Sequence, residues 1–308
     1  EDWHLSIKSH SFKSIRQHLP ILLAARNLSP KKFSQVTKTV AILAGVIGAS
    51  TKQWNSIESD LVGWCVLLRH NKLEKYLDSV NEFTKDNIVA VTNSLLDPNY
   101  LSEKTSYRKF ILYILENYLY AETFKKDMIA NFSREDTCEH IIPQGSNAYK
   151  AKPEKYAPEK FDKLIQRLGN LSMLNTYENG VADDYTPQEK MEMNVFKDST
   201  FNLSKTIQKE FISVASDHGN APNRAMQKYH LNPTTLSKTK DEEDKGQTFF
   251  LEEQIAQREH IYFKILNDFF TTSAKEDHRI ELEHPDEKDG KLKNCPYCKN
   301  PKYIPDLK

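Results

Sequence analysis

The chain lacks any apolar run approaching the ~18 residues that a membrane span requires, and its first residues carry none of the zones of a secretory signal. No membrane partner is therefore expected. Only 9 of its 308 residues are glycine, too few for a collagen-like or low-complexity chain. Four cysteines without framework spacing exclude a disulfide-stapled scaffold and suit a reducing cytoplasm, the expected location. An excess of charge is missing as well: 43 Lys and Arg balance 43 Asp and Glu. Global charge thus neither draws the chain to nucleic acid nor keeps it away, and any electrostatic footprint has to be local. Glu1 stands where an initiator methionine would, so a fragment of a longer protein is expected.

What is present is 38% hydrophobic and 28% charged residues, the balance of a helix-rich globular protein, with length enough for two or three modules. Residues 1–122 read as a helical domain. Phe12, Ile15 and Leu19 fall at helical spacing, and Pro20 opens the next segment, since proline is tolerated in a first turn but not in a helix interior. Ser29-Pro30 is a start signal of the same kind, and the helix it opens is expected to bury Phe33, Val36, Val40, Leu43 and Ile47. The spacing predicts further helices over 60–70 (Leu61, Trp64, Cys65, Leu68), over 80–96 until Asp97-Pro98 ends it, and over 107–120. Core burial alone accounts for this periodicity, and no chemistry is visible in it.

Residues 123–215 break the pattern. Cys138-Glu139-His140-Ile141-Ile142-Pro143-Gln144 is a β-type run with an acid directly before a histidine; Leu168-Gly169-Asn170-Leu171-Ser172-Met173-Leu174 is a second, and Asn179 follows. Phosphodiester hydrolysis needs a divalent cation to offset charge on the non-bridging and leaving oxygens, and a base to take a proton from the attacking water. Hard cations such as Mg²⁺, or Mn²⁺ in its place, take oxygen ligands. Glu139 offers a carboxylate and Asn179 a carboxamide oxygen. On a strand, His140 points away from Glu139 and can stay clear of the metal, and an imidazole that titrates near neutrality suits a general base. A lone Glu-His pair is more often surface or core decoration; the pair with both asparagines is far less accidental.

Between the two runs, residues 147–167 hold Lys150, Lys152, Lys155, Lys160, Lys163 and Arg167 against Glu154, Glu159 and Asp162, with Tyr149, Tyr156 and Phe161 interleaved. This is either a solvated surface segment or a contact to the phosphate backbone, in which Lys163 and Arg167 are the phosphate-binding candidates.

Glu139 to Gln144, with Asn170 and Asn179, resembles the His-Me finger, or ββα-metal, motif of HNH endonucleases. The spacing of the two asparagines is similar to that in the HNH domain of CRISPR effector nucleases. Residues 105–200 are similar to the C-terminal half of GmrSD-type modification-dependent restriction endonucleases through Glu139 to Gln144, Leu168 to Leu174, Asn179 and Lys190, with Arg108 to Leu112 in support. The resemblance implies a mainly α fold in which a helical bundle flanks a small ββα-metal (HNH) module at 123–215. It implies His140 as general base, Glu139 and Asn179 as ligands of a single metal ion, and Asn170 as the residue that braces the metal loop and orients His140. Lys190 would be a phosphate contact or a structural brace. The resemblance further implies double-stranded DNA as substrate, a role in restriction or phage defence, and an N-terminal nucleotide-hydrolysing domain in the full-length protein. Two positions depart from the pattern: Asp184 stands where Asn is usual and Pro187 where Phe is usual. Asp184 is thus a candidate additional ligand, in competition with Asn179.

Residues 216–308 form the third segment: a polar linker over 216–247, an amphipathic helix over 249–270 whose expected role is packing or a partner contact, and a tail with Cys295-Pro296-Tyr297-Cys298. That spacing is one zinc knuckle, and tetrahedral Zn²⁺ needs four ligands. His278 and His284 would complete it, Cys138 would contribute, or a second chain would; two free thiols are the competing reading. Homo-oligomerisation is left open. The expected function is a metal-dependent DNA endonuclease. The alternatives are a catalytically weak nucleic-acid-binding module built on residues 147–167 and a helical interaction scaffold with a vestigial site.

Overall fold

A computed structural model describes residues 18–49, 54–124, 135–145, 156–207 and 252–271. The expected helix through Phe12, the lysines at 150–155, the 216–247 linker, and Cys295, Cys298, His278 and His284 of the zinc reading lie outside the described residues. The fold is mainly helical with one small two-stranded sheet. The chain divides into two compact units, Glu1–Asp136 with Ile265–Glu281, and Thr137–Lys264 with Leu282–Lys308.

In the first unit, α1 (Leu19–Ala24) carries Pro20 in its first turn, and α2 (Pro30–Ala49) begins at the proline that its start signal predicts. Then come α3 (Glu58–Arg69), α4 (Leu73–Leu96), α5 (Pro98–Glu103) and α6 (Thr105–Phe124). Asp97-Pro98 does end α4, and it also opens α5: the Asp97 carboxylate accepts the amide of Asn99 at 2.9 Å while Pro98 occupies the first turn. Most positions of the expected apolar stripes are buried, with Phe33, Phe83, Ile88 and Tyr118 half-buried and Leu19 exposed. From Thr39 to Ile47 α2 is buried on every side, as α6 is from Phe110 to Asn117, so these two helices form the interior and not an amphipathic surface layer. α2 packs against α1, α4 and α6. Close approach is visible at Gly45, where a Cβ would lie 2.9 Å from the Phe270 ring. Among the described residues no helix is long and apolar enough to cross a membrane.

In the second unit, β1 (Thr137–His140) pairs antiparallel with β2 (Leu171–Leu174) in the register Thr137 to Leu174, Cys138 to Met173, Glu139 to Ser172 and His140 to Leu171. Between them lies α7 (Pro158–Ile165), and after them α8 (Thr176–Ala182), α9 (Pro187–Glu192) and α10 (Asn202–Lys205). Two capping boxes start α8 and α9: Asn175 with Glu178, and Thr186 with Glu189. α8 packs against both strands. The core of this unit gathers Ile141, Ile142, Phe161, Leu164, Phe196 and Ile255, each worth about 1.5–3 kcal/mol when fully buried. The last helix, α11 (Glu252–Thr271), contributes its residues as far as Lys264 to this unit.

Candidate active site

Strand alternation puts Glu139 and Ser172 on one face of the sheet, and His140 with Leu171 and Met173 on the other. Glu139 and His140 are both nearly enclosed, at 6% and 7% exposure.

The Glu139 face is closed by two side chains from later helices. Lys190 of α9, with 0% exposure, donates from Nζ to Glu139 Oε1 at 2.5 Å and to the His140 carbonyl at 2.9 Å. Burial pushes the Glu139 carboxyl above its ordinary value, and the Lys190 ammonium pulls it back down. Ser204 of α10 donates to the Met173 carbonyl at 2.5 Å. Its single proton is thereby used, so Ser172 donates in the 2.7 Å contact between the two hydroxyls.

Asn170 has 0% exposure and commits its whole carboxamide to the backbone around the site. Oδ1 accepts the Ile142 amide at 2.9 Å, and Nδ2 donates to the carbonyls of Ile142 at 3.0 Å and Ile165 at 2.7 Å. Its own carbonyl accepts the Ile141 amide at 2.9 Å, extending the ladder one residue past His140. The two residues that follow the histidine are therefore fixed by one side chain and its peptide group. No other residue type offers a donor pair and an acceptor in that planar arrangement except the longer Gln.

Asn179 lies on α8, half-buried, one turn before the buried Ala182 on the face turned to the sheet. After α8, Asp183 adopts φ 37°, a left-handed conformation uncommon outside glycine, and the chain turns sharply. That turn brings the Asp184 carboxylate against the loop that follows β1: a Cβ on Gly145 would lie 2.4 Å from Asp184 Oδ1. Among the described residues, no three His, Cys, Asp or Glu side chains gather into a ready metal cluster.

Of the three phosphate-binding candidates, Lys190 is engaged as described and enclosed. Arg167, 5% exposed, is held by a bidentate pair with Glu259 of α11, its Nε at 3.1 Å from both carboxylate oxygens and its Nη2 also bonded to Oε2. Lys163 is exposed on α7. Two of the aromatics expected to interleave with these charges turn inward instead, Tyr149 lying outside the described residues: Phe161 is buried in the core, and Tyr156 is buried with its hydroxyl on Glu252 at 3.0 Å. Lys160 rests over the Tyr156 ring, 5.2 Å from its centroid, and pairs with the same Glu252.

Arg258 of α11 has no counterpart in the sequence reading. At 2% exposure it donates to the carbonyls of Gly169 and Leu171, to Thr206 and to Tyr262. Read as a periodic pattern, Arg258 and Glu259 are polar positions of an amphipathic helix. The signal that points to them is Gly169, where a Cβ would sit 1.9 Å from the Ile255 carbonyl, so helix backbone and turn are in direct contact.

Compared with known families, residues 83–265, more than half of the chain, match the model of the C-terminal domain of GmrSD restriction endonucleases. The match takes in both strands, α8, α9 and α11 as far as Ile265. No curated protein and no solved structure matches the chain.

Proposed function

The chain belongs to the family of GmrSD restriction endonuclease C-terminal domains, and from that membership we propose that it is a DNA-cleaving part of such an enzyme, an HNH-type endonuclease dependent on Mg²⁺ or Mn²⁺. The observation that carries this reading is Asn170, whose carboxamide holds Ile142 and whose peptide carbonyl holds Ile141 immediately after His140, and which so fixes the strand end on which a general base would stand.

His140 takes the proton from the attacking water. Asn170 fixes its peptide neighbours, and Lys190 holds both its carbonyl and the adjacent carboxylate. Lys163 meets a phosphate of the DNA backbone from the surface; Lys190 and Arg167, both paired inside the unit, serve the fold. The donor set fits a hard cation, because Glu139, Asn179 and Asp184 offer oxygen only. Mg²⁺ keeps several waters and takes one or two carboxylates plus substrate phosphates. When bound, such an ion stabilises charge on the phosphoryl and leaving oxygens. The same reading gives the chain a part in restriction of foreign DNA, beside the N-terminal nucleotide-hydrolysing domain that the sequence resemblance implies.

The test is incubation of the protein with supercoiled plasmid and Mg²⁺ or Mn²⁺, beside an EDTA control. Metal-dependent nicking or linearisation is expected. DNA binding without cleavage under either metal would replace the proposal with a binding module, and neither binding nor cleavage with a scaffold.

A further inference from the structure

Helix α11 meets the turn before β2 through polar side chains, and the strongest of these brackets Asn170. Arg258 donates from Nε to the carbonyl of Gly169 at 2.9 Å and from Nη2 to that of Leu171 at 3.3 Å, the residues on either side of Asn170. Nη1 donates to Thr206 Oγ1 at 3.0 Å, and Nη2 also reaches the Tyr262 hydroxyl, which itself donates to the Leu171 carbonyl at 3.2 Å. A buried guanidinium is costly. Its rigid planar fork is the group that can hold two carbonyls at a fixed separation, which a lysine cannot do. Gly169 lets the helix backbone close on the turn.

A continuous chain of contacts then runs to the candidate base. Arg258 fixes the peptide groups around Asn170; Asn170 accepts the amides of Ile141 and Ile142; these two follow His140 directly. We infer that Arg258 is a positioning residue for His140, holding the Asn170 turn in the one placement from which it can brace the end of β1. Helix α11 is on this account a working part of the nuclease unit. The effect on turnover rests on the proposed endonuclease activity; the effect on the loop does not.

The experiment uses the full chain as Arg258→Gln, with Tyr262→Phe as a milder variant that removes one partner of Arg258, and Ser204→Ala as a control that loosens β2 without touching Arg258. Two readouts are taken. One is amide hydrogen exchange at Ile141 and Ile142 relative to Phe161, whose amide is bonded to Ala157 in α7 of the same unit. The other is kcat and KM for plasmid cleavage. Arg258→Gln is expected to lower protection at Ile141 and Ile142 by about tenfold more than at Phe161. It is expected to lower kcat by about tenfold or more with KM within about twofold of wild type. Tyr262→Phe should move both in the same direction by less, and also serves if Arg258→Gln does not fold. Ser204→Ala should lower protection at the three amides together. Uniform or absent loss of protection in the Arg258 and Tyr262 variants would overturn the inference, as would selective loss with kcat unchanged. If the wild type cleaves no DNA, the nuclease reading fails, and the exchange pattern alone still decides whether Arg258 holds the loop.

Discussion

Replacing Lys190 with methionine isolates the electrostatics of the Glu139 face. Methionine fills the volume of the lysine stem, so little cavity is created, and what is lost is the ammonium with its bonds to Glu139 Oε1 and the His140 carbonyl. Glu139, 6% exposed, is then left without its cation. Retaining an unpaired buried charge costs about 3–5 kcal/mol. Taking up a proton costs about 1.36 kcal/mol for each pH unit above the ordinary carboxyl value of 4.5, which is about 3.4 kcal/mol at pH 7 and about 0.7 kcal/mol at pH 5. Burial already raises this carboxyl against the pull of Lys190, so in the variant the proton is the cheaper route at pH 5, and at pH 7 its cost, comparable to that of the retained charge, caps the penalty. The direction follows from linkage: a carboxyl raised in the folded state is fully stabilising below its unfolded value, and that stability drains away as pH climbs toward the folded value. Removing Lys190 extends the drain to higher pH. Unfolding of wild type and Lys190→Met at pH 5 and pH 7 measures the difference. At about 2–4 °C per kcal/mol, a gap of roughly 7–14 °C is expected at pH 7 and one of about 1–3 °C at pH 5, each increased slightly by the lost bond to His140. Adding Glu139→Gln should recover most of the loss at pH 7. An equal drop at both pH values, or none, would refute the argument.

Asn170→Ala strands the Ile142 amide and the carbonyls of Ile142 and Ile165 in the interior. At about 1–3 kcal/mol for each unsatisfied group, partly relieved by relaxation, urea unfolding should report a loss of roughly 3–5 kcal/mol. Gly169→Ala forces a Cβ against the Ile255 carbonyl, and an overpacking cost of about 1–3 kcal/mol is expected from its melting temperature. Asp184→Asn should weaken Mn²⁺ binding by roughly tenfold in calorimetry if the carboxylate beside Gly145 is a ligand; unchanged affinity would return the role to Asn179 and Glu139.

The helical part of the fold was legible because α2, α3, α4 and α6 are long enough to show their period, and proline signals mark where α1, α2 and α5 begin. The two β-type runs, Cys138 to Gln144 and Leu168 to Leu174, were legible through their residue types but extend past the strands Thr137–His140 and Leu171–Leu174, because Leu168–Asn170 forms a 3-10 turn whose Asn170 side chain bonds Ile142. Short helices of four to eight residues, α7 to α10, are set by capping side chains and tertiary contacts, and carry too few turns for a pattern. At the site, Asn170 was read from the second β-type run and the family resemblance, whereas the partner of Glu139 was not. Lys190, expected as a phosphate contact or a structural brace, lies 51 residues further on, and nothing in the sequence ties it to Glu139. Arg258 and Glu259 were hidden for the same reason: periodicity identifies the apolar face of a helix and is silent about a polar face that meets another part of the chain. The lysine-rich stretch misled in the opposite sense, since Tyr156 and Phe161 belong to the core beneath the charges and not to a stacking surface.

The central claim is that His140 is the general base of a metal-dependent DNA cleavage. It is tested most directly by comparing wild type and His140→Ala for cleavage of supercoiled plasmid in Mn²⁺, with melting temperature and DNA binding measured on the same preparations. The account predicts cleavage slowed by about 10²–10⁴-fold in the variant with fold and DNA binding retained. Equal cleavage by the two proteins would contradict it.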